Sequence, residues 1–265
     1  RPSRSWCTAC AIAAVFDVVR FAVAFPFHAP TPCAAALRYS GAMVAASPPP
    51  RPSLPCVLLT GFDAFGGQAL NPSSLAVHAL RGRRIAGHRV VTAELPTAFD
   101  SAPARLRALI ETHRPALVVC VGQAGGRAAI SLERVAINLI DARIADNALA
   151  QPVDEPVVPG APAAYFSTLP LKAMLAALQR DGLAAEVSQT AGTFVCNQVF
   201  YALMHALATR RGWGRVRGGF IHVPWLPEQG TPSMPLADIV RGLRVAVRVA
   251  LTTAQDLRVA AGQIS

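Results

Sequence analysis

The chain has 265 residues, enough for one large α/β domain or two small ones, and 52% of them are hydrophobic against 15% charged. Of its 25 basic residues only Lys172 is a lysine, so the net charge of +10 comes from arginines scattered along the chain. With no Lys/Arg-rich block and no interleaved aromatics, this distribution argues against a nucleic-acid-binding protein.

Residues 1–55 differ from the rest. The run ACAIAAVFDVVRFAVAF is interrupted by Asp17 and Arg20 and falls short of the ~20 apolar residues that a bilayer span needs. The same two charges count against a secretory signal. ASPPPRPSLP (46–55) reads as an extended Pro-rich linker, and Met43 sits just before it. We therefore expect residues 1–55 to be a poorly ordered extension and linker, the first ~40 of them dispensable, and residues 56–265 to form a single α/β domain, starting near Leu54. Cysteines at 7, 10, 33, 56, 120 and 196 show no tight disulfide framework, which favours reduced thiols and a cytoplasmic location. Cys7 and Cys10 form a CxxC outside any βαβ context.

From Cys56 onward strand and helix signals alternate. PCVLLTGF is a short apolar run closing in glycine, as a buried strand would. NPSSLAVHALRG has Asn71 as N-cap, Pro72 at the first helical position and Gly82 as its stop. HRVVTAELP is strand-like, and DSAPARLRALIETHRP is a helix with an aspartate cap. ALVVCVGQAGG is an apolar strand running into a glycine turn. AAISLERVAINLID alternates as one partly exposed strand would. LPLKAMLAALQRDG is a helix, LAAEVSQ a short strand, TFVCNQVFYALMHALATRRG a helix, GGFIHVP a buried strand and MPLADIVRGLRVAVRVALTTAQDL a long last helix. This order predicts a mainly parallel or mixed sheet covered by helices on both faces. In such sheets ligands and chemistry gather beyond the C-terminal ends of the strands.

Three residues stand out against that frame. Cys196 falls in the first turn of a helix, where the dipole and backbone N–H groups lower a thiol pKa, whereas Cys56 and Cys120 sit within apolar strands. The plain alternative is a small buried apolar side chain, and polar Asn197 and Gln198 directly after it ask for an explanation. His222 ends the strand GGFIHVP, placed to reach the mouth of the sheet and act as a general base. Glu133 is a carboxylate inside an apolar strand, either ion-paired with a neighbouring arginine or fixing the imidazole as a third catalytic member. Arg127 and Arg143 flank that strand.

The segments LLTGFDAFGG…NPSS, GQAGGR, SLERVAIN…DARIADN, GTFVCNQVFYALMH and GFIHVPWLPEQ, in this order, resemble the motifs of the pyroglutamyl peptidase I family of cysteine peptidases. The resemblance runs from about Cys56 to the last helix. It implies a three-layer α/β/α sandwich with a mixed, mainly parallel twisted sheet, assembled as a homotetramer, and needs no cofactor or metal. It also implies hydrolysis of the bond after an N-terminal pyroglutamyl residue, through Cys196 as nucleophile, His222 as base and Glu133 as acidic member. Phe62 and Phe65 would hold the pyrrolidone ring; Asn71, of the neighbouring NPS motif, would be among the substrate-binding residues, with Gln123 near the substrate and Arg143 near the reacting carbonyl. Asp63, between the two phenylalanines, is expected to face solvent. Ala145 and Trp225 stand where the family pattern has proline and tyrosine. A competing reading is a non-catalytic binder of an anion or small molecule, with Gly122, Gly125 and Gly126 presenting N–H groups and Arg127 closing the site.

Overall fold

A computed structural model describes residues 55–262. The expected extension, with its CxxC, lies outside the described residues. The elements run β1 (Cys56–Phe62), α1 (Pro72–Ala79), β2 (Arg84–Ile85), β3 (His88–Leu95), α2 (Ala102–His113), β4 (Leu117–Gln123), β5 (Ile130–Glu133), β6 (Val135–Ile137), β7 (Ala164–Phe166), α3 (Leu171–Arg180), β8 (Ala185–Ser188), α4 (Val195–Thr209), β9 (Arg217–Val223) and α5 (Leu236–Thr252). Seven strands form one sheet in the order β2-β3-β1-β4-β9-β5-β8. Pairings β1–β3, β1–β4, β4–β9 and β5–β8 are parallel, whereas β2–β3 and β5–β9 are antiparallel. β6 and β7 make a separate antiparallel pair.

The sheet is buried on both faces because successive side chains of each strand serve two different cores. Val57, Leu59, Val119 and Ile221 point into one core with Val77 of α1, Met174 of α3 and Leu243 of α5. Leu58, Val118 and Phe220 point into the other with Leu106 of α2 and Val199 of α4. The result is the expected mixed, mainly parallel sheet between two helical layers.

Local signals explain most element ends. Asn71 caps α1, its side chain accepting from the Ser73 N–H at 3.0 Å, and Pro72 occupies the first turn. The aspartate cap expected for α2 is absent: Ser101 is the N-cap, without a side-chain hydrogen bond.

The segment around Glu133 departs more. It is broken at Arg134 into β5 and β6, and every residue of β5 is buried. Its alternation of Ile130 and Leu132 with Ser131 and Glu133 separates a hydrophobic core from a buried polar face rather than core from solvent. The cause is position: β5 is an interior strand held between β9 and β8.

Candidate active site

β4 and β9 end side by side, with Gly122 opposite His222 and Gln123 opposite Val223. β5 approaches β9 from the other direction and sets Ser131 opposite His222 and Glu133 opposite Phe220. Residues two apart on a strand share a face, so Glu133 and His222 lie diagonally on one side of the sheet. The carboxylate Oε1 of Glu133 is 2.7 Å from Nδ1 of His222. Both side chains are buried, at 0% and 4% exposure. A carboxylate only accepts, so the imidazole proton belongs on Nδ1 and Nε2 is left as the basic nitrogen. The Phe220 ring, 4.8 Å from the imidazole, packs against it.

The same Glu133 oxygen accepts from Nη1 of Arg127 at 2.7 Å, and Nη2 of Arg127 donates to the Thr190 carbonyl at 3.1 Å. Glu133 is thus ion-paired to an arginine and bonded to the imidazole at once; its Oε2 is buried without a partner. Arg127, committed to Glu133, is not free to close an anion site, which removes the main support for the binding-only reading.

Cys196 is the second residue of α4. Phe194, in an extended conformation, is the N-cap and supplies no side-chain acceptor. The hydroxyl of Thr193, one residue before the cap, donates instead to the Asp141 carbonyl at 2.7 Å. The first-turn N–H groups beside the sulfur therefore keep their capacity to bind an anion. Asn197 and Gln198 now have a reason. Asn197, fully buried, accepts from the Ile137 N–H at 3.1 Å and donates to the carbonyls of Ile137 and Leu139, each at 2.9 Å. Gln198 donates to the Phe99 carbonyl at 2.9 Å. Both bolt the helix start to neighbouring loops. The sulfur sits so close above β4 that a Cβ on Gly122 would come within 2.9 Å of it.

The expected lowering of the Cys196 pKa is not found. Burial first, then the negative charge of Glu133 and the neighbouring thiol of Cys120, push it up to about 12, and Arg127 offsets only part of this. Cys120 is also pushed up to about 12 by burial. Electrostatics therefore does not separate the two thiols; access does. Cys120 is fully buried in a strand, whereas Cys196 is half-buried and lines a cavity of about 370 Å³ together with His222.

Phe65, Gln123 and Arg143 line this cavity. Phe62 does not: it is the last residue of β1, 2% exposed, and its ring packs on Phe220 beneath the imidazole. The aromatic partner that the sequence reading missed is Phe194, which lines the cavity and packs on Phe65 with ring centroids 6.0 Å apart. Asn71 is buried behind the site; besides capping α1 it donates to the Asp63 carbonyl at 2.9 Å and so shapes the loop bearing Phe65. Asp63 is not turned to solvent. Its Oδ1 accepts from the Thr97 N–H at 2.7 Å and from Asn147 at 3.2 Å, tying GFDAFGG to DARIADN. Among the described residues no group of three His, Cys, Asp or Glu side chains could hold a metal ion, and no helix is long and apolar enough to cross a membrane.

A thiol at a helix start and an imidazole–carboxylate pair at adjoining strands, gathered on one cavity of an α/β sandwich, define the class of thiol-dependent hydrolases. The chain belongs to the pyroglutamyl peptidase family, whose model matches residues 56–253. It is 56% identical over 216 residues to a pyrrolidone-carboxylate peptidase of Cupriavidus taiwanensis, a match covering 80% of this chain and all of the relative. The crystal structure of pyroglutamyl peptidase I from Bacillus amyloliquefaciens is similar at a TM-score of 0.76 and 45% identity, covering 78% of this chain and all of that one. A mutant pyrrolidone carboxyl peptidase from Pyrococcus furiosus gives a TM-score of 0.72 at 42% identity, covering 75% of this chain and 99% of that one.

Proposed function

We propose that this chain hydrolyses the peptide bond after an N-terminal pyroglutamyl residue and releases 5-oxoproline, with Cys196 as nucleophile, His222 as general base and Glu133 as the group that orients and charges it. The reading rests on one observation: Cys196 and His222 line one cavity, and His222 Nδ1 lies 2.7 Å from Glu133.

The substrate end is an uncharged five-membered lactam, with no ammonium group for an ion pair. An apolar pocket with few polar groups suits it. Phe65 and Phe194 supply the ring walls and Gln123 an amide for the lactam edge. Because the resting thiol is neutral, the reaction starts with proton transfer from Cys196 Sγ to His222 Nε2 as sulfur attacks the scissile carbonyl. The carbonyl oxygen gains the negative charge beside the first-turn N–H groups of α4 and the guanidinium of Arg143; one such donor typically contributes ~3 kcal/mol. His222 then gives its proton to the departing amine as the C–N bond breaks. Water, deprotonated by the same imidazole, cleaves the thioester and restores the thiol. The carboxylate of Glu133 stabilises the imidazolium in both halves.

Pyroglutamylated peptides are thus the substrate class. A cytoplasmic location follows from the cysteine pattern, and a homotetramer from the family resemblance. A chromogenic pyroglutamyl amide tests the chemistry. Wild type is expected to release the chromophore, Cys196→Ala to lose turnover by several orders of magnitude, and Cys120→Ala to keep it. Equal effects of the two substitutions, or turnover surviving in Cys196→Ala, would remove Cys196 as nucleophile.

A further inference from the structure

The catalytic cavity does not end at His222. A second cavity of about 490 Å³ adjoins it and shares Phe65, Gln123, Gly125, Arg143 and Ile144 with it, then continues past Gln68, Gly126 and Trp225. Pyroglutamate is the first residue of its peptide, so a substrate can continue in one direction only, past the scissile carbonyl. Resting on the reaction proposed above, Arg143 serves that carbonyl, and Arg143 lines both cavities. We propose that this second cavity is the subsite for the residue after pyroglutamate, and that Trp225 makes it select a flat, apolar side chain.

The indole is held rather than loosely exposed. A Cβ on Gly125 would fall 2.3 Å from its Cζ2, and one on Gly230 would fall 3.2 Å from its Cε3. Two glycine backbones therefore grip opposite edges of the ring system. The backbone is fixed too, since the Trp225 carbonyl accepts from the Met234 N–H at 2.8 Å. The indole nitrogen, its only polar side-chain atom, is buried without a partner on the Gly125 edge. What remains for the cavity is π surface held by its surroundings, and so able to stack without first losing rotamer freedom.

Gln123, which also lines the extension, is neutral, and its Oε1 accepts from Gln229 Nε2 at 3.1 Å. Among the described residues, the only charged group lining the extension is Arg143. A lysine or arginine after pyroglutamate would meet that like charge with no carboxylate in the lining to answer it. The expected order is therefore phenylalanine or tyrosine first, alanine next and lysine last.

The test measures kcat/KM of wild type, Trp225→Leu and Trp225→Phe on pyroglutamyl-phenylalanine, pyroglutamyl-alanine and pyroglutamyl-lysine. Wild type should prefer phenylalanine to alanine. In Trp225→Leu that ratio should fall by about two- to tenfold, the scale of one aromatic contact. Trp225→Phe, which keeps a ring, should retain most of it. Because each ratio is internal to one protein, partial loss of folded enzyme cancels. A wild type that cleaves all three equally, or a ratio unmoved in Trp225→Leu, would overturn the subsite while leaving the catalytic reading intact. Absence of all pyroglutamyl cleavage by wild type would overturn both.

Discussion

At Cys196 the surroundings work against ionisation. Burial and the nearby carboxylate of Glu133 outweigh Arg127, and the proton is held more tightly than by a free thiol. A raised pKa leaves the thiolate a minor species at neutrality, with a fraction that rises as pH approaches the pKa; alkylation follows that fraction. Iodoacetamide is thus expected to modify Cys196 at a rate that keeps climbing above pH 8. A rate already level by pH 7, read by mass spectrometry of the Cys196 peptide, would reveal a standing thiolate–imidazolium pair. The residue types of the proposed trio were legible, because a thiol at a helix start, a histidine at a strand end and a carboxylate in an apolar strand each break a local pattern. The aromatic pocket was half legible. Phe62 belongs to the period-two series of Leu58 and Thr60, which commits it to the core, whereas Phe65 has left the strand. Phe194, two residues before the nucleophile, carried no signal beyond that proximity.

The first turn of α4 shows why an element's beginning matters more here than its interior. No side chain caps it, so its N–H groups keep their capacity for an anion, and the burden of holding it passes to Asn197. Asn197→Ala leaves the N–H of Ile137 and two carbonyls without their partner in a buried place. Such losses typically cost about 1–3 kcal/mol apiece at most, with partial relief by water. Urea unfolding should show a clear drop in stability, with kcat reduced as the sulfur shifts; unchanged stability would mean that the loop carrying residues 137–139 holds itself. The break between β5 and β6 was not legible, since alternation over 129–140 looks the same whether the polar face meets solvent or a catalytic cavity. Distinguishing them needs the strand's neighbours, which are β8 and β9, some 50 to 90 residues later by register.

For the whole molecule, the alternation of strand and helix signals in the chain was enough to place helices on both faces of a mainly parallel sheet. It did not contain the strand order or the direction of β5, which depend on long-range pairing. The family match begins at residue 56, where β1 also begins. Removing residues 1–42 is accordingly expected to preserve both the unfolding midpoint and pyroglutamyl amidase activity; insoluble or inactive product would show that the extension contributes to the domain. β5 also has a consequence for assembly. It enters against the run of β9, although it precedes both β8 and β9 in the chain, and brings the carboxylate that, among the described residues, meets His222. Until that reversed strand is seated, the chain can own most of its helices and its parallel centre and still have an unoriented imidazole. The pairings that seat β5 join residues some 50 to 90 apart in sequence, a range that is slow to close, so carboxylate and imidazole come together only through the long-range part of the sheet.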